Sequence, residues 1–380
     1  MKDKKLFIAF VHNVLDCRGG AERKLLLIAQ HLRALPGIDL KIYVNRFVPE
    51  KTFTEYVDGL MVIEVPAHGW IGKLLSFFKI ARLTRDADLI HAHNHPGHLA
   101  AVFSKLLKKK PILWFDNEPL LYMEGTKHRH SWLRLLPVRL FEKILLPQID
   151  TIVSNSRNTQ NNIKKFLGRE SVVIYSGVDV NLLKPRQLHQ DSSFQISTVS
   201  RFTKEKGLDV FIRLASRMPK AYFTIAGRGE EEASLRDLAK QLKIENLTFA
   251  IDIAENEKIA LYQQSDVFAF TPLNEPLGIT IVEAMACGVP VVAFRSGGAR
   301  ETVLDGETGF LVETEDEFFE KISILQQDAS LREKFSNAAR KRALELFSLE
   351  QMINRTLEQY RSLLSRYHKE SLSSFLKDKN

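Results

Sequence analysis

The chain has 380 residues, of which 44% are hydrophobic and 26% charged, and its formal net charge is +8. This composition is that of an ordinary globular protein, long enough for two domains. Its two cysteines, Cys17 and Cys287, exclude a disulfide framework and fit a reducing compartment, so we expect a cytoplasmic protein. The apolar run at 6–11 is too short for a membrane span or a signal-peptide core, and no other stretch reaches the roughly 18 apolar residues of a span.

The positive charge lies in the first half of the chain. Residues 1–180 hold 27 Lys and Arg against 17 Asp and Glu, whereas the remainder holds 27 against 29. Such asymmetry favours an anionic partner for the first half, such as a phosphorylated lipid, a membrane surface or nucleic acid, although a solubilising surface has the same composition. Because the sequence contains no recognisable nucleic-acid-binding motif, no nucleic acid partner is expected.

Strand-like apolar runs alternate with helix-length amphipathic segments from end to end. In the first half the predicted strands lie at 6–11, 40–44, 61–65, 89–92, 112–115, 151–154 and 172–175. The helices between them are predicted at 21–35, 71–85, 98–108 and 132–146. After a polar stretch at 185–193, strands are predicted at 194–200, 221–226, 247–251, 266–270 and 289–294. Helices are predicted at 208–218, 230–242, 257–264, after residue 278, and at 349–368.

This alternation is typical of parallel sheets covered by helices. We therefore predict an α/β fold with two Rossmann-like parallel-sheet domains, at 1–185 and 186–348, that face each other across a cleft. Residues 349–380 are expected to add a helix that packs back on the first domain, followed by a basic tail.

Two carboxylates flank a predicted helix start in the second domain. Glu275 lies in a loop that follows a strand, and Glu283 lies about one turn into the helix that begins after Gly278. The backbone N–H groups of Gly278, Ile279 and Thr280 are expected to point into the same space. This combination suits a ligand that carries hydroxyls and a phosphate, and a nucleotide sugar is such a ligand.

Three other motifs also follow predicted strands, where open α/β sheets bind ligands. Gly19 and Gly20 begin the first helix, where a glycine pair either lets the backbone approach a phosphate or sugar, or forms an ordinary turn. Arg201 and Lys206 suit a departing diphosphate, although an isolated pair of this spacing is more often a solvated loop. The Gly-x-Gly at 227–229 either contacts a nucleotide or forms a tight turn.

Polar side chains also crowd the strand ends of the first domain. His91, His93 and His95 share one face of an extended segment, which permits a metal site. No carboxylate or cysteine lies at a useful spacing, so the histidines are expected to line the cleft and no metal is expected. Asp116 and Asn117 follow the next strand and are candidate site residues, although this composition before a proline also favours a turn.

Segments 70–85 and 127–146 are apolar on one side and basic on the other. Aromatic side chains beside basic ones bind membrane interfaces, and core-facing helices with a charged outer face have the same pattern. The segments therefore permit peripheral contact with the inner face of a membrane.

Together these motifs resemble the retaining glycosyltransferases of family 4, which have the GT-B fold. The resemblance is strongest across about residues 195–312, where it rests on Arg201, Lys206, Gly207, Gly227, Gly229, Glu275, Glu283, Gly288, Pro290, Gly297, Gly298, Glu301, Gly306 and Gly309. In the first domain it rests on the segments at 19–23, 88–93, 155–156 and 177–179.

The resemblance implies a role for each matching residue of the donor site. Arg201 and Lys206 are implied to hold the donor diphosphate, and Glu283 is implied to bind the ribose hydroxyls. Glu275, with the backbone of 277–280, is implied to meet the donor sugar and the distal phosphate.

From the first domain, Gly20 is implied to approach the same phosphates. Such enzymes need no metal, and their retention is ascribed to front-face attack in which the donor phosphate takes the acceptor proton. Many relatives carry a histidine where this chain has Asn117, and that histidine contacts the transferred sugar. Glu275, Asp116 and Asn117 are accordingly the catalytic candidates.

The glycine pair and the Asn-Glu-Pro loop look most like mannosyltransferases of this family. We therefore expect transfer of a hexose, mannose first, from GDP-mannose rather than a UDP-sugar to a lipid-linked or glycan acceptor. Two other functions stay open. Asn117 suggests an inactive nucleotide-sugar-binding scaffold, and a GT-B-like epimerase acting on a UDP-sugar would use acid–base groups in the cleft.

Overall fold

A computed structural model describes residues 5–118, 143–185, 193–367 and 376. The chain divides into two compact units, one made of Met1–Tyr175 with Met352–Asn380 and the other of Ser176–Gln351. Each unit is built on a parallel β-sheet accompanied by helices, which confirms the predicted α/β class. No helix among the described residues is both long enough and apolar enough to cross a membrane.

The first unit contains a seven-stranded parallel sheet and one short separate strand pair. Its strands in chain order are β1 (Leu6–Val11), β2 (Val14–Leu15), β3 (Ile38–Val44), β4 (Arg46–Phe47), β5 (Met61–Glu64), β6 (Leu89–His93), β7 (Ile112–Asp116), β8 (Thr151–Ser154) and β9 (Val172–Val173). The main sheet has the order β5-β3-β1-β6-β7-β8-β9, and β2 pairs with β4. The chain builds outward from β1 in one direction and from β6 in the other, so the strand order reverses between β1 and β6.

The second unit contains a six-stranded parallel sheet with the same kind of reversal. Its strands are β10 (Gln195–Val199), β11 (Tyr222–Gly227), β12 (Leu247–Ile251), β13 (Val267–Phe270), β14 (Val291–Phe294) and β15 (Gly309–Val312). They are ordered β12-β11-β10-β13-β14-β15. Here the order reverses between β10 and β13, and ligands of open α/β sheets bind beside such a reversal, at the carboxyl ends of the strands.

Helices connect most of the strands. In the first unit these are α1 (Gly20–Ala34), α2 (Thr54–Val57), α3 (Gly69–Leu83), α4 (Gly97–Leu107) and α5 (Arg157–Leu167). The second unit adds α6 (Leu208–Arg217), α7 (Glu232–Gln241), α8 (Glu255–Gln264), α9 (Ile279–Ala286), α10 (Ala299–Thr302), α11 (Glu315–Gln327) and α12 (Ala329–Leu346). Helix α13 (Leu349–Arg366) begins at the end of the second unit and continues into the first. Most of the segment at 127–146 lies outside the described residues.

Helix α6 illustrates how the sequence pattern forms the core. Its buried residues recur three to four positions apart and so form one apolar face: Leu208, Val210, Phe211, Ile212, Leu214 and Ala215. The ring of Phe211 meets that of Phe223 on β11 edge-on, with 5.2 Å between ring centres. Burial of a side chain of this size contributes about 1.5–3 kcal/mol to folding.

The unit boundary lies before Ser176, about ten residues earlier than the domain boundary expected from the sequence. Residues 176–185 belong to the second unit because Arg340 on α12 donates hydrogen bonds to the carbonyls of Val180 and Leu183, at 2.9 and 2.5 Å. Val178 also forms a β-bridge with Ser348. The chain therefore passes between the units before it reaches the polar stretch near 185–193.

Eight of the described strands and α-helices were not anticipated from the sequence: β2, β4, α2, α5, α10, β15, α11 and α12. Helix α5 is strongly polar, and its start is defined by the side chain of Ser156, which accepts a hydrogen bond from the N–H of Thr159 at 2.9 Å. Strand β15 has only four residues and follows a glycine-containing turn. Very short apolar runs and helices with few apolar side chains are hard to distinguish from loops by pattern, which is why the sequence alone did not reveal them.

Candidate functional site

Lys206 and Glu275 form an ion pair at the reversal of the second sheet. Lys206 ends a short 3₁₀ turn after β10, and Glu275 lies in the loop after β13. Because β10 and β13 are neighbours, side chains 69 positions apart meet, and Lys206 Nζ donates to Glu275 Oε2. The Lys206 carbonyl also accepts a hydrogen bond from the Thr271 hydroxyl at 2.8 Å. Glu275 therefore holds the ammonium of Lys206 and Thr271 holds its backbone, at the carboxyl edge of the sheet.

A second glycine pair supports the Glu275 loop. The N–H of Gly298 donates to the Glu275 carbonyl at 2.7 Å. A Cβ on Gly298 would lie 2.4 Å from Leu277 Cα, and one on Gly297, whose φ is +51°, would lie 2.4 Å from the Glu275 carbonyl oxygen. Both positions therefore require glycine for close backbone packing. Their role in this structure is to shape the loop that carries Glu275.

Helix α9 begins directly behind this loop. Gly278 caps it with a φ of +79°, and the helical ladder starts with the N–H groups of Ile281 and Val282, which both donate to the Gly278 carbonyl. The N–H groups of Ile279 and Thr280 precede that ladder and lie at the positive end of the helix dipole. Ile279 and Thr280 are half-buried. The expected donor groups of the helix start are thus present.

Glu283 is held by two side chains of helix α8 that the sequence analysis missed. It is only 2% exposed, and its two carboxylate oxygens accept hydrogen bonds from the Tyr262 hydroxyl at 2.9 Å and from Lys258 Nζ at 3.1 Å. Lys258 and Tyr262 lie four positions apart, so they share a face of α8. The four-residue spacing showed that Lys258 and Tyr262 share a face, but it did not show which residue they contact. That depends on the position of α8 beside α9 in the fold.

The charge of Glu283 changes the chemistry of its neighbours. Burial, followed by the negative charge of Glu283, raises the pKa of Tyr262 well above its usual range. The same two causes raise the pKa of the Cys287 thiol to about 12. Tyr262 therefore stays a hydroxyl donor and Cys287 an unreactive thiol at neutral pH. Glu283 is the acceptor of this cluster.

Arg201 lies exposed on the loop that follows β10, beside the Gly-x-Gly of the next strand end. The N–H of Phe202 donates to the Arg228 carbonyl at 2.8 Å. A Cβ on Gly227 would lie 1.9 Å from the Ser200 carbonyl oxygen, and one on Gly229 would lie 2.2 Å from that of Phe202. The two glycines thus allow the two loops to pack closely, which supports the tight-turn interpretation for that motif.

The two glycines at the start of α1 differ in the space around them. Gly19 caps α1, and a Cβ there would meet the Glu22 carboxylate at 2.1 Å. A Cβ on Gly20 would meet no atom within 4 Å among the described residues. The start of α1 therefore has open space at Gly20, at the carboxyl end of β1. Glu22 accepts a hydrogen bond from His12 Nε2 at 3.2 Å.

Asp116 and Asn117 lie at the end of β7. Asp116 is buried and Asn117 half-buried. The Asn117 amide donates to the side-chain oxygen of Asn94 at 2.7 Å, and its backbone carbonyl accepts from the Thr159 hydroxyl at 3.0 Å. The Asn117 side-chain oxygen has no hydrogen-bond partner among the residues the structure describes. The Asn117 side chain is thus held through its amide nitrogen, while its oxygen makes no hydrogen bond to any described residue.

The three alternating histidines do not all line a surface. His91 is fully buried between the rings of Phe10 and Phe115, with ring centres 4.4 and 4.8 Å away, and its Nδ1 is hydrogen-bonded to the Tyr360 hydroxyl of α13. Burial, the charge of Lys24 and that of His12 hold the pKa of His91 well below its ordinary value. The expectation that His91 lines a cleft is therefore wrong, because its neighbours enclose it in the core. Across the described ranges, no three His, Cys, Asp or Glu side chains lie close enough to hold a metal ion.

Two family models match almost the whole chain between them. The model described as Glycosyl transferases group 1 matches residues 179–342, and the model described as Glycosyltransferase Family 4 matches residues 18–182. An uncharacterized glycosyltransferase of Methanocaldococcus jannaschii is 30% identical over 303 residues, which cover 72% of this chain and 75% of the relative. The chain belongs to glycosyltransferase family 4. It is therefore an enzyme of the glycosyltransferase type, which favours transfer over the scaffold and epimerase alternatives.

Named mannosyltransferases are among the relatives of this glycosyltransferase. Alpha-1,3/1,6-mannosyltransferase ALG2 of Dictyostelium discoideum is 26% identical over 365 residues, covering 81% of this chain and 86% of the relative. A GDP-mannose-dependent alpha-(1-6)-phosphatidylinositol monomannoside mannosyltransferase of Mycolicibacterium smegmatis is 42% identical over 212 residues, covering 50% and 56%.

Solved structures agree on the fold. The crystal structure of Anabaena HepE in complex with UDP and glucose matches with a TM-score of 0.78 at 22% identity, covering 94% of this chain and 100% of that one. The predicted GT-B fold is confirmed.

Proposed function

We propose that this glycosyltransferase moves mannose from GDP-mannose to a lipid-linked or glycan acceptor, with retention of the sugar's configuration and without a metal. The observation that carries the proposal is the Lys206–Glu275 pair at the sheet reversal, whose Glu275 lies in the loop that leads into α9. It places a cation, a carboxylate and helix N–H groups at one strand edge, and a nucleotide diphosphate sugar needs all three.

The donor roles follow from the chemistry of each group. Lys206 and Arg201 neutralise the diphosphate as it departs, and the N–H groups of Ile279 and Thr280 bind its distal phosphate. Glu275 accepts hydrogen bonds from hydroxyls of the sugar. Glu283 accepts hydrogen bonds from the ribose.

From the first unit, Gly19 and Gly20 let the backbone of the α1 start approach the phosphates, and the open space at Gly20 supports this role.

The catalytic step needs no protein nucleophile. The acceptor oxygen attacks the anomeric carbon from the face that the diphosphate leaves, and the leaving phosphate oxygen takes the acceptor proton. The anomeric carbon–phosphate oxygen bond breaks as the new glycosidic bond forms. Asn117 replaces the histidine common in the family, and its amide oxygen, which has no hydrogen-bond partner among the described residues, supports a role in binding a hydroxyl of the transferred sugar. Asp116 lies next to it on β7.

Mannose is favoured because two of the relatives are named mannosyltransferases, one of them GDP-mannose-dependent. A UDP-sugar is the second candidate, because HepE was solved with UDP. A thermal-shift screen against GDP, UDP and ADP and their sugars distinguishes them, since a ligand that binds only the folded protein raises its melting temperature. The proposal requires the largest rise in melting temperature with GDP-mannose and transfer that persists in EDTA. A rise with UDP-sugars alone would make a UDP-sugar, and not GDP-mannose, the donor.

Exposed apolar side chains on α3 and α4 support contact with an anionic membrane. Ile71, Leu75 and Phe78 are 55%, 62% and 48% exposed, and the Phe78 ring packs against Phe103 of α4 with 4.6 Å between ring centres. Basic and apolar side chains continue this surface: Lys73, Leu74, Lys79, Arg82, Leu83, Leu106, Leu107, Lys108 and Lys109. Helix α3 contains no acidic residue. Apolar side chains insert into a lipid surface, and basic side chains are attracted to its anionic headgroups.

A further inference from the structure

The carboxylate of Glu283 is oriented by two donors of helix α8. Its Oε2 accepts a hydrogen bond from the Tyr262 hydroxyl at 2.9 Å, and its Oε1 accepts one from Lys258 Nζ at 3.1 Å. The last torsion of a glutamate side chain turns easily, because its energy wells are broad. Two donors that engage different oxygens prevent that rotation. The plane of the Glu283 carboxylate is therefore set by α8.

The hydroxyl of Tyr262 is not needed to fill the core. Tyr262 is fully buried, and its ring meets the Phe268 ring of β13 edge-on, with 5.6 Å between ring centres. A phenylalanine at this position would keep that ring contact. Burying a hydroxyl costs free energy unless it is hydrogen-bonded, and this hydroxyl donates to Glu283, 21 positions further along the chain. Its contribution therefore lies in how it holds the carboxylate.

The ammonium of Lys258 is itself fixed between two carboxylates. Its Nζ lies 3.1 Å from Glu283 Oε1 and 3.1 Å from Glu255 Oε2, and its side chain is 16% exposed. Glu255 is in the first turn of α8. Because the same helix restrains the ammonium, Lys258 keeps its place and does not follow the movements of Glu283. It is a fixed anchor rather than a mobile counter-ion.

We propose that Tyr262 and Lys258 are positioning residues that act through Glu283 to make the enzyme select ribonucleotides over deoxyribonucleotides. The proposal rests on the proposed function, in which Glu283 accepts hydrogen bonds from the ribose. A carboxylate accepts about four hydrogen bonds, so the two from α8 are compatible with further ones from a ligand.

The fixed orientation is what makes the selection strong. A carboxylate that is oriented before the nucleotide arrives loses little freedom when it binds. A nucleotide that lacks a ribose hydroxyl leaves this buried charge without one of its hydrogen bonds, and that penalty weakens its binding. A carboxylate that is free to turn avoids the penalty, so selection falls when either anchor is removed.

The first test measures binding of GDP, 2′-deoxy-GDP and 3′-deoxy-GDP by isothermal titration calorimetry, and of the corresponding UDP series. We expect the wild type to bind at least one deoxynucleotide about tenfold or more weakly than the ribonucleotide, the effect of a lost hydrogen bond to a charged group. In Tyr262→Phe and in Lys258→Met this ratio should fall below about threefold, because the carboxylate is no longer held for both hydroxyls.

The matched controls are Tyr222→Phe and Lys341→Met, which make the same substitutions at exposed positions of the second unit. Both should keep the wild-type ratio. Lys258→Arg retains a cation at the anchor and should restore most of the ratio that Lys258→Met loses. An unchanged ratio in Tyr262→Phe would overturn the proposal.

The second test asks whether Tyr262 acts through Glu283. Glu283→Ala and the double variant Tyr262→Phe/Glu283→Ala should bind GDP equally, because the hydroxyl has nothing left to orient. In Tyr262→Phe alone, KM for the donor should rise while kcat at saturating donor stays within about twofold of the wild type, as expected for a contact made equally in the ground and transition states.

Two outcomes would contradict this proposal in distinguishable ways. If the double variant binds GDP more weakly than Glu283→Ala, Tyr262 supports the fold generally and the proposal fails alone. If the wild type binds neither GDP nor UDP, the proposed function fails, and this proposal fails with it.

Discussion

In the proposed function, donor binding depends most directly on the side chains of Glu283 and Lys206. Glu283→Ala removes a carboxylate fixed by Tyr262 and Lys258, and Lys206→Ala removes the cation paired with Glu275. We expect Lys206→Ala to lose about 10²–10³-fold in kcat/KM, because a preorganised group that binds developing charge contributes that much. Glu283→Ala should lose about 10–10²-fold, because it removes hydrogen bonds between a charged carboxylate and the ribose hydroxyls. Steady-state transfer from the donor measures the loss.

The matched control for these variants is Lys341→Ala. Its amine lies 3.9 Å from Glu345 on the surface of the second unit. This control should keep wild-type activity, and circular dichroism should show all three variants folded. Wild-type turnover in both Glu283→Ala and Lys206→Ala would contradict the assigned donor site.

Alanine substitution is expected to affect stability differently in the two glycine pairs, Gly19–Gly20 and Gly297–Gly298. Gly20→Ala should leave the stability unchanged or slightly higher, because a Cβ there meets open space and alanine favours helices. It should nevertheless lower kcat/KM if the backbone of Gly20 approaches the donor phosphates. Stability is measured by urea unfolding, and donor affinity by titration with the nucleotide diphosphate.

Gly298→Ala is the companion variant. Its Cβ would lie 2.4 Å from Leu277 Cα, so the loop that carries Glu275 must shift. We expect a loss of about 1–3 kcal/mol in the free energy of unfolding as well as lower activity. Equal activity of Gly20→Ala and wild type would exclude a donor contact at Gly20.

At the scale of elements, the strand-order reversals determine where the candidate groups collect. The Lys206–Glu275 pair lies where β10 and β13 are neighbours, and the Asn94–Asn117 pair lies where β6 and β7 are neighbours. Adjacent parallel strands present their carboxyl ends, and the loops that follow, at one edge. Residues far apart in the chain are thus brought within hydrogen-bond distance by sheet order.

Arg340 links the stretch at 176–185 to the second unit, and its loss should weaken that unit. Its guanidinium donates to the carbonyls of Val180, Leu183 and Ala286. We expect Arg340→Met to lower the free energy of unfolding by about 2–3 kcal/mol, because partly buried carbonyls lose charged donors. Urea denaturation provides the measurement. Arg217→Met, which removes an exposed pair with Asp316, should cost under about 1 kcal/mol, and an equal loss in both variants would contradict the argument.

At the scale of the whole molecule, the charge asymmetry and the exposed apolar surface of α3 point to the same partner. We expect binding to vesicles that contain anionic phospholipid, weaker binding as salt rises, and little binding to zwitterionic vesicles. Phe78→Glu should weaken vesicle binding at least tenfold, because it places a charge in the apolar surface. Vesicle co-sedimentation provides the measurement.

The matched control for vesicle binding is Tyr222→Glu. Tyr222 is an exposed aromatic residue of the second unit, whereas α3 belongs to the first. This control should bind as the wild type does. An equal loss of vesicle binding in Phe78→Glu and Tyr222→Glu would show that only the net charge of the protein attracts it to the vesicles.

Much of the fold follows from local pattern. The strands of both sheets that precede the site were predicted within a few residues, because a short continuous apolar run between turn residues is typical of a buried strand. The elements missed, such as α5 and β15, are polar or very short. The unit boundary was misplaced because Arg340, more than 150 positions away, holds the stretch at 176–185.

The sequence by itself determined the family, the α/β class and the candidate donor residues, since motifs such as Glu275 and Glu283 are local and lie at strand ends. Only the tertiary structure showed that Glu283 is held by Tyr262, that Glu275 is paired with Lys206, and that His91 is a core residue bonded to a tyrosine 269 positions away. The reason is physical. Periodicity reports which face of an element is buried, whereas the partner of a buried polar group depends on which elements the sheet order makes neighbours.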